Sequence, residues 1–363
     1  MMSLAFAEIE PFDRQEAEGF AERMTDVLDS GATAAMMSIG HRSGLFDVMK
    51  DMPPASSAKI AEAATLDERY VREWLAVMVT ARIVDYDPEG RTYALPAAHA
   101  ACLTRGAPLG NLAVYGQFVA LLGTMQDRIL ACLESGDGLA YGDYPHFHEV
   151  MAEDSGQTVT AQLFDSVLPM VEGIEARLEA GIDVLDAGCG RGASLIAMAE
   201  RYPRSRFAGY DLGQDAIDFA TAQAVARGLD NVRFEARDLT GYDEKEQFDF
   251  VTTFDAVHDQ KDPEGLVRGL AGALRPGGVY LMQDIGGSAN LENNMDFPLA
   301  AFLYAVSFTH CMPVSLGQGG EGLGTMWGWE TAEAMLRRVG FTSVERKLLP
   351  HDPMNVWFVS RKA

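Results

Sequence analysis

The chain has 363 residues, 48% of them hydrophobic and 23% charged, which excludes wholesale disorder and leaves room for two domains. A formal net charge of -24 repels phosphate backbones and anionic headgroups, so neither nucleic acid nor an acidic membrane is expected as a partner. Four scattered cysteines (Cys102, Cys132, Cys189 and Cys311) form no C-x-x-C pair, which leaves a disulfide framework and a zinc site unsupported. The start, MMSLAFAEIEPFD, lacks the basic and apolar blocks of a signal peptide. No run of about 18 apolar residues stands out, and the expectation is a soluble cytoplasmic protein.

In chain order, residues 1–20 read as an acidic arm, followed by short helices and a small hairpin up to residue 105. SAKIAEAA reads as a helix capped by Ser56 or Ser57. Thr65 and Glu68 have capping-box spacing for the next helix, whose apolar face is Val71, Leu75, Met78 and Val79. IVDYD, a Pro-Glu-Gly turn and RTYAL then complete a helix-turn-helix with a wing. The second helix offers Arg69 and Arg72 but also Asp67, Glu68 and Glu73, so a dimerisation or lid role is expected before DNA binding. Residues 106–178 read as helical, interrupted by GDYPHFHEVMAEDS.

From residue 181 strands and helices alternate. IDVLDAG, RFAGYD, VRFEARD, FDFVTTF and VYLMQDI are apolar strands, and ASLIAMAERY, DAIDFATAQAVARG and PEGLVRGLAGAL are helices between them. That alternation predicts an α/β, Rossmann-like doubly wound sheet of seven strands, the last two being FTSVERKLL and NVWFVSR as a hairpin. The expected divisions are 1–105, an arm and winged-helix dimerisation domain; 106–178, a connector with pocket helices; and 179–363, the sheet domain with an insertion at 288–328.

VLDAGCGRGASL carries the strongest chemical signal. A strand ends near Asp186, and Gly188, Gly190 and Gly192 follow before a helix, a spacing that allows a sharp turn and close ligand approach. Gly188, Gly190 and Ala193 also satisfy the dinucleotide pattern, but Asp186 would oppose a pyrophosphate. A carboxylate suits the sulfonium and ammonium of S-adenosylmethionine instead. Asp211 ends the next strand, placed to accept ribose hydroxyls, and Asp238 ends the third, placed to accept from an adenine amino group. Leu212, Leu239, Phe254 and Asp255 complete the candidate cofactor contacts.

On VLDAGCGRG, GYD, RD and LRPGG, residues 180 to 361 resemble the class I S-adenosylmethionine-dependent methyltransferases. The winged-helix start, DYPHFHEVMAEDS and VSLGQGGEGLGTMWG look like a bacterial winged-helix subfamily of them. AVHDQKDPE is similar to the H-D-W-x-D stretch of caffeate-type O-methyltransferases, although Gln260 stands where that family has tryptophan. The resemblance implies S-adenosylmethionine as cofactor, S-adenosylhomocysteine as product, a homodimer, a small-molecule acceptor, and His258 as the general base. Asp259 is the candidate to orient His258, and His146, His148 and His310 are outside candidates. No metal is expected, because Asp284 is followed by Ile285 and not by the asparagine of the magnesium-dependent pattern. The expected pocket draws on Tyr115, Phe118 and Phe147 and on the insertion's Phe297, Phe302, Tyr304, Phe308, Met312, Met326 and Trp327, with residues 317–324 as a flexible stretch. The subfamily resemblance favours S-methylation of a small thiol, with O-methylation of a phenolic or other hydroxyl close behind, and a cofactor-sensing DNA-binding regulator as the rival class.

Overall fold

A computed structural model describes residues 13–363. The chain forms two compact units, one ending at Ala120 and the other starting at Leu121.

The first unit begins with a long helix, α1 (Arg14–Arg42), capped by Asp13, whose carboxylate accepts from the amides of Gln15 and Glu16. Residues 14–20, expected as an arm, are therefore helical; residues 1–12 lie outside the described residues. Then come α2 (Leu45–Lys50), α3 (Ser57–Ala64), α4 (Glu68–Thr80), the hairpin β1 (Asp85–Asp87) and β2 (Thr92–Ala94), and α5 (Ala97–Leu103). Ser56 caps α3 as expected. The capping box does not form. Thr65 ends α3 in the left-handed conformation, Asp67 caps α4, and Glu68 accepts from Ser57 Oγ at 2.5 Å. Asp67 stands one residue before the helix, so its short carboxylate reaches the Arg69 amide at 3.0 Å without a Thr–Glu exchange. Val71, Leu75 and Met78 are buried on α4 together with Trp74, while Val79 is only half-buried. Helix α6 (Ala113–Ser135) spans the boundary between the units.

The second unit continues with α7 (Phe147–Thr158) and α8 (Ile174–Ala180), then alternates: β3 (Asp183–Ala187), α9 (Ala193–Arg201), β4 (Arg206–Asp211), α10 (Gln214–Ala226), β5 (Val232–Ala236), β6 (Phe248–Phe254), α11 (Pro263–Ala273) and β7 (Leu274–Ile285). The seven strands lie in the order β5-β4-β3-β6-β7-β9-β8, and β9 (Asp352–Arg361) is antiparallel to both β7 and β8 (Ser343–Leu349). The doubly wound sheet and the terminal hairpin are as expected. Strand β7 starts five residues earlier than the sequence suggests. Leu274 pairs with Phe248 before the register jumps to Val279 opposite Phe250, so the expected LRPGG turn is a bulge inside the strand, with Gly277 at φ 72°.

Apolar side chains from β3, β6 and β7 fill cores on both faces of this sheet, including Leu185, Val251 and Tyr280 on one and Val184, Phe250 and Leu281 on the other. This double burial is why these strands read as continuous apolar runs. The sequence order reverses between β3 and β6, and the carboxyl ends of the strands there form the crevice where such sheets bind ligands.

The insertion forms α12 (Ala300–Val306), a wide π-helical turn (Ser307–Cys311) and α13 (Met312–Gly317), before α14 (Trp329–Arg338). Contrary to the sequence expectation, this run of Ala300–Gly317 is long and apolar enough to cross a membrane, with a mean hydropathy of 1.3. Seven of its residues, Leu303, Val306, His310, Cys311, Pro313, Val314 and Ser315, are instead buried within the protein.

Candidate active site

The glycine loop joins β3 to α9. Gly188, Gly190 and Gly192 all take positive φ, at 78°, 50° and 72°. A Cβ on Gly188 would lie 2.4 Å from Ala256 Cβ, and one on Gly192 would lie 2.5 Å from the Phe234 ring. A Cβ on Gly190 would meet nothing within 4 Å, so this glycine faces open space where a ligand can reach bare backbone. Asp211 ties the cradle together: Oδ2 accepts from the Gly190 amide and Oδ1 from the Gly213 amide, each at 2.8 Å. Leu212 beside it is 51% exposed, open to a bound group.

The other candidate cofactor residues divide. Asp186 is buried at the end of β3, where Thr252 Oγ1–H donates to it at 2.7 Å, and burial pushes its pKa up to about 7. Asp238 is exposed and accepts from the Thr240 amide at 2.8 Å, which holds its pKa low. The Leu239 side chain belongs to the sheet core with Tyr210 and Tyr242. Phe254 packs on the opposite core, 6.0 Å from the Trp357 ring.

His258 sits in the loop between β6 and α11 and is 2% exposed. Its Nδ1 lies 2.9 Å from Asp284 Oδ1, at the end of β7. That carboxylate oxygen also accepts from Trp327 Nε1 at 3.0 Å and from the Ile285 amide at 2.8 Å. A carboxylate oxygen gathering this many donors assigns a proton to Nδ1 of His258, which leaves Nε2 of the neutral ring with its lone pair. Burial alone would lower the imidazole pKa, but Asp284 outweighs burial and holds it well above its ordinary value.

The expected partner of His258, Asp259, is not the one that orients it. Asp259 Oδ1 accepts from Gln260 Nε2 at 3.3 Å, and Gln260 Nε2 also donates to the Ala256 carbonyl at 2.8 Å. The reason is direction: adjacent side chains diverge from a loop, whereas β7 lies next to β6 and brings Asp284 to the same end of the sheet. Sequence reading weighed Asp284 only as a metal ligand. The signal that it missed was an acid at the carboxyl end of the strand beside the one that carries the base.

Asp255 opens the loop at φ 55°, with Oδ1 3.7 Å from His258 Nδ1. Burial pushes the Asp255 pKa up to about 7 and that of Asp259 up to about 6. Donor atoms of Asp255, His258 and Asp284 lie within 4.8 Å of one another, the one such metal-compatible group among the described residues.

Phe147, Met312 and Trp327 all belong to this second unit. Phe147 is buried against His310, Trp327 holds Asp284, and Met312 lies under the glycine-rich stretch, its Cβ 3.5 Å from where a Cβ on Gly324 would be. Tyr115 and Phe118 belong to the first unit, where their rings stack at 6.5 Å. The expected roof is partly core: Phe297, Phe302 and Tyr304 pack on Ile285, Leu303 and Met326, while Phe308 is exposed. The stretch 317–324 is anchored: Ser315 Oγ–H donates to the Gln260 carbonyl at 2.9 Å and accepts from the Gly322 amide at 3.1 Å. His148 Nδ1 pairs with Asp215 at 3.1 Å, and His146 Nδ1 pairs with Glu149 at 3.1 Å. A separate groove of about 350 Å³ lies at the opposite, amino-terminal ends of the strands. Its Arg206 and Arg275 are already ion-paired to Asp183.

The buried carboxyls give the fold a pH dependence. Asp186 and Asp255 (about 7) and Asp259 and Asp352 (about 6) keep protons in the folded chain that the unfolded chain releases near pH 4. The stability that they contribute is full below the unfolded pKa and is lost as pH rises through the folded values. His258 has the same sign, since its folded pKa is also raised. Asp183, whose burial is outweighed by Arg206 and Arg275, acts oppositely but only in the acid range, and His310, whose folded pKa is lowered by burial, acts oppositely below the ordinary histidine pKa, one group against the several with raised values. The ligand-free protein is expected to melt several degrees lower at pH 8 than at pH 5.5 by scanning fluorimetry. An equal or higher Tm at pH 8 would contradict the burial argument.

Comparison with known proteins decides the class of this site. The Rv2258c-like winged HTH domain matches residues 31–105, and the family described as a methyltransferase domain matches residues 178–313. This is a methyltransferase with a winged HTH domain, and its sheet is the class I methyltransferase fold. Methyltransferase ungE' of Aspergillus campestris is 24% identical over 248 residues, covering 66% of this methyltransferase and 68% of the fungal one. Several other curated methyltransferases match over only 28 to 30% of this chain, which spans less than half of their length. Among solved structures, a putative O-methyltransferase from Nostoc punctiforme superposes with a TM-score of 0.68 at 19% identity, covering 94% of this chain and 98% of that one. Human N-acetylserotonin methyltransferase in complex with S-adenosylmethionine superposes at 0.65 and 14% identity, covering 98% and 99%. These likenesses show a shared fold; the human structure holds S-adenosylmethionine and another, PigF, holds S-adenosylhomocysteine. The open backbone at Gly190 and the Asp211 anchor fit S-adenosylmethionine.

Proposed function

We propose that this methyltransferase transfers a methyl group to a hydroxyl oxygen of a small uncharged aromatic molecule, with His258 as general base. The observation that carries this reading is the buried pair of His258 Nδ1 and Asp284 Oδ1 at 2.9 Å. S-adenosylmethionine supplies an electrophilic methyl group on a sulfonium. The Gly188–Gly192 loop and Asp211 hold the cofactor, with Asp238 and Leu212 toward its adenosine and Asp186 beneath the loop as counter-charge. His258 takes the acceptor's proton at Nε2 while Asp284 stabilises the imidazolium that forms. Burial of the pair keeps water out of the transfer.

A hydroxyl of pKa about 10 needs such a base, whereas a thiol of pKa about 8.5 is partly ionised near neutrality and needs it less. Thiol S-methylation, favoured by the subfamily resemblance, is thus the rival outcome. The deciding experiment is formation of S-adenosylhomocysteine with small phenols and small thiols assayed side by side. Turnover of phenols supports the proposal, and turnover of thiols alone replaces it with S-methylation. No metal enters the proposal, because Nδ1 of His258 already points its proton at Asp284; millimolar EDTA is expected to leave the rate unchanged.

For the first unit we propose self-association in place of DNA binding. On α4, Arg69 is paired with Glu73, and Arg72 lies 3.6 Å from Glu68, so the helix offers little unpaired positive charge. On α1, Phe20, Val27 and Leu28 are more than half exposed, which suits burial against a second copy. A dimer mass by light scattering at micromolar concentration is expected. The four cysteines are all free, which suits the reducing cytoplasm.

A further inference from the structure

Among the buried polar side chains of the second unit that the transfer chemistry leaves without a task, His310 is the imidazole. His310 is 1% exposed, and neither of its ring nitrogens has a hydrogen-bond partner among the described residues. Buried imidazole nitrogens are ordinarily satisfied, because an unpaired one is costly and an aliphatic side chain would fill the same space without that cost.

The surroundings hold the ring still. Phe147 stacks on it at 3.6 Å with planes 12° apart, and Tyr144 and Tyr141 meet it edge-on at 4.5 and 5.5 Å. Tyr144 Oη–H donates to the Thr309 carbonyl at 2.7 Å, which fixes the backbone just before His310. The residue sits in the π-helical turn Ser307–Cys311, a kind of local widening that recurs at functional sites.

The same surroundings place it beside the transfer chemistry. The next residue, Cys311, has its thiol within hydrogen-bonding influence of His258. Tyr141, at the edge of the His310 ring, stacks on His148 at 5.1 Å, and a Cβ on Gly213 would lie 2.5 Å from the His148 ring, so the aromatic box adjoins the loop that Asp211 anchors. Burial first, then His258 and His148, hold the His310 pKa well below its ordinary value. Its imidazole is therefore neutral, with one N–H donor and one acceptor nitrogen.

We propose that His310 is a specificity-determining residue that exchanges a hydrogen bond with a second polar group on the methyl acceptor, so that the substrate class is an uncharged aromatic hydroxyl compound carrying another hydroxyl, carbonyl or ring nitrogen. This rests on the hydroxyl reading of the site above. A site that hydrogen-bonds a substrate group discriminates strongly against the analogue lacking it, because its own polar atoms are then left unpaired.

The test uses full-length protein with phenol as the reference acceptor and catechol, resorcinol and hydroquinone as probes that place a second hydroxyl at each ring position. Wild type is expected to prefer at least one diol over phenol by about 100-fold or more in kcat/KM. In His310→Leu that ratio is expected to fall to within a few-fold of one, while His310→Gln retains part of it. Should His310→Leu fail to fold, seen as lost S-adenosylhomocysteine binding, His310→Met serves as the apolar variant. The inference is overturned if wild type prefers none of the diols, or if the preference survives in the apolar variant. If only thiols turn over, the hydroxyl reading falls, and the same ratio is scored with benzenethiol against the three mercaptophenols. Loss of that preference in the apolar variant then keeps His310 as the reading residue, and its persistence removes it.

Discussion

Replacing His258 with glutamine is expected to lower turnover of a phenolic acceptor by about 10²- to 10⁴-fold, the usual contribution of a positioned general base. Glutamine is the informative choice. Its side-chain amide can still donate to Asp284 Oδ1, which otherwise keeps only the Trp327 and Ile285 donors. Alanine would leave the buried carboxylate short of a partner and confound lost chemistry with lost stability. Binding of S-adenosylmethionine, measured by calorimetry, should change by no more than a few-fold, because the Gly190 and Asp211 cradle is untouched. The pH profile adds a second reading. Wild-type kcat/KM should climb through an ionisation above the ordinary histidine range, since the base must lose the proton that Asp284 favours. The variant should rise only with the acceptor's own ionisation. A variant retaining most of its activity at pH 7 would remove His258 from the proton transfer.

Asp284→Asn should cost about 10³- to 10⁴-fold in kcat, the scale seen when the carboxylate behind a catalytic imidazole is made neutral. Its diagnostic effect is on pH. Burial lowers the His258 pKa, and the carboxylate is the largest influence that raises it, with Cys311 adding to it, so its removal shifts the balance toward burial and the alkaline-rising limb of the rate profile should move to lower pH. A lower plateau together with an acid-shifted limb is the signature of a residue acting through the base. An unshifted limb would show that Asp284 only packs. Some loss of stability is also expected. Three donors converge on Oδ1, and an amide offers one acceptor oxygen and brings two hydrogens of its own.

The sequence by itself determined the sheet, the glycine loop and the place of His258. Doubly buried strands such as FDFVTTF are legible because every position but Asp249 is apolar or small, and Gly188, Gly190 and Gly192 are legible because glycine takes their positive φ without strain and, at Gly188 and Gly192, allows close approach. His258 was legible from its place just after the fourth strand of that sheet. Local rules failed where two options competed over a few residues. Asp67 displaced the Thr65 capping box, and LRPGG became a bulge within β7. Only the tertiary structure decided the partner of His258, because Asp284 lies 26 residues away and reaches it through the pairing of β6 with β7. The same holds for His310. In sequence it is one histidine among apolar neighbours, and its unpaired nitrogens and aromatic box appear only when residues 141–147 and 307–311 are packed together. Periodicity and turn chemistry report what a residue does to its own segment. Which charge stands behind a base, or which ring covers an imidazole, depends on contacts between segments, and a single sequence does not encode those in any local pattern.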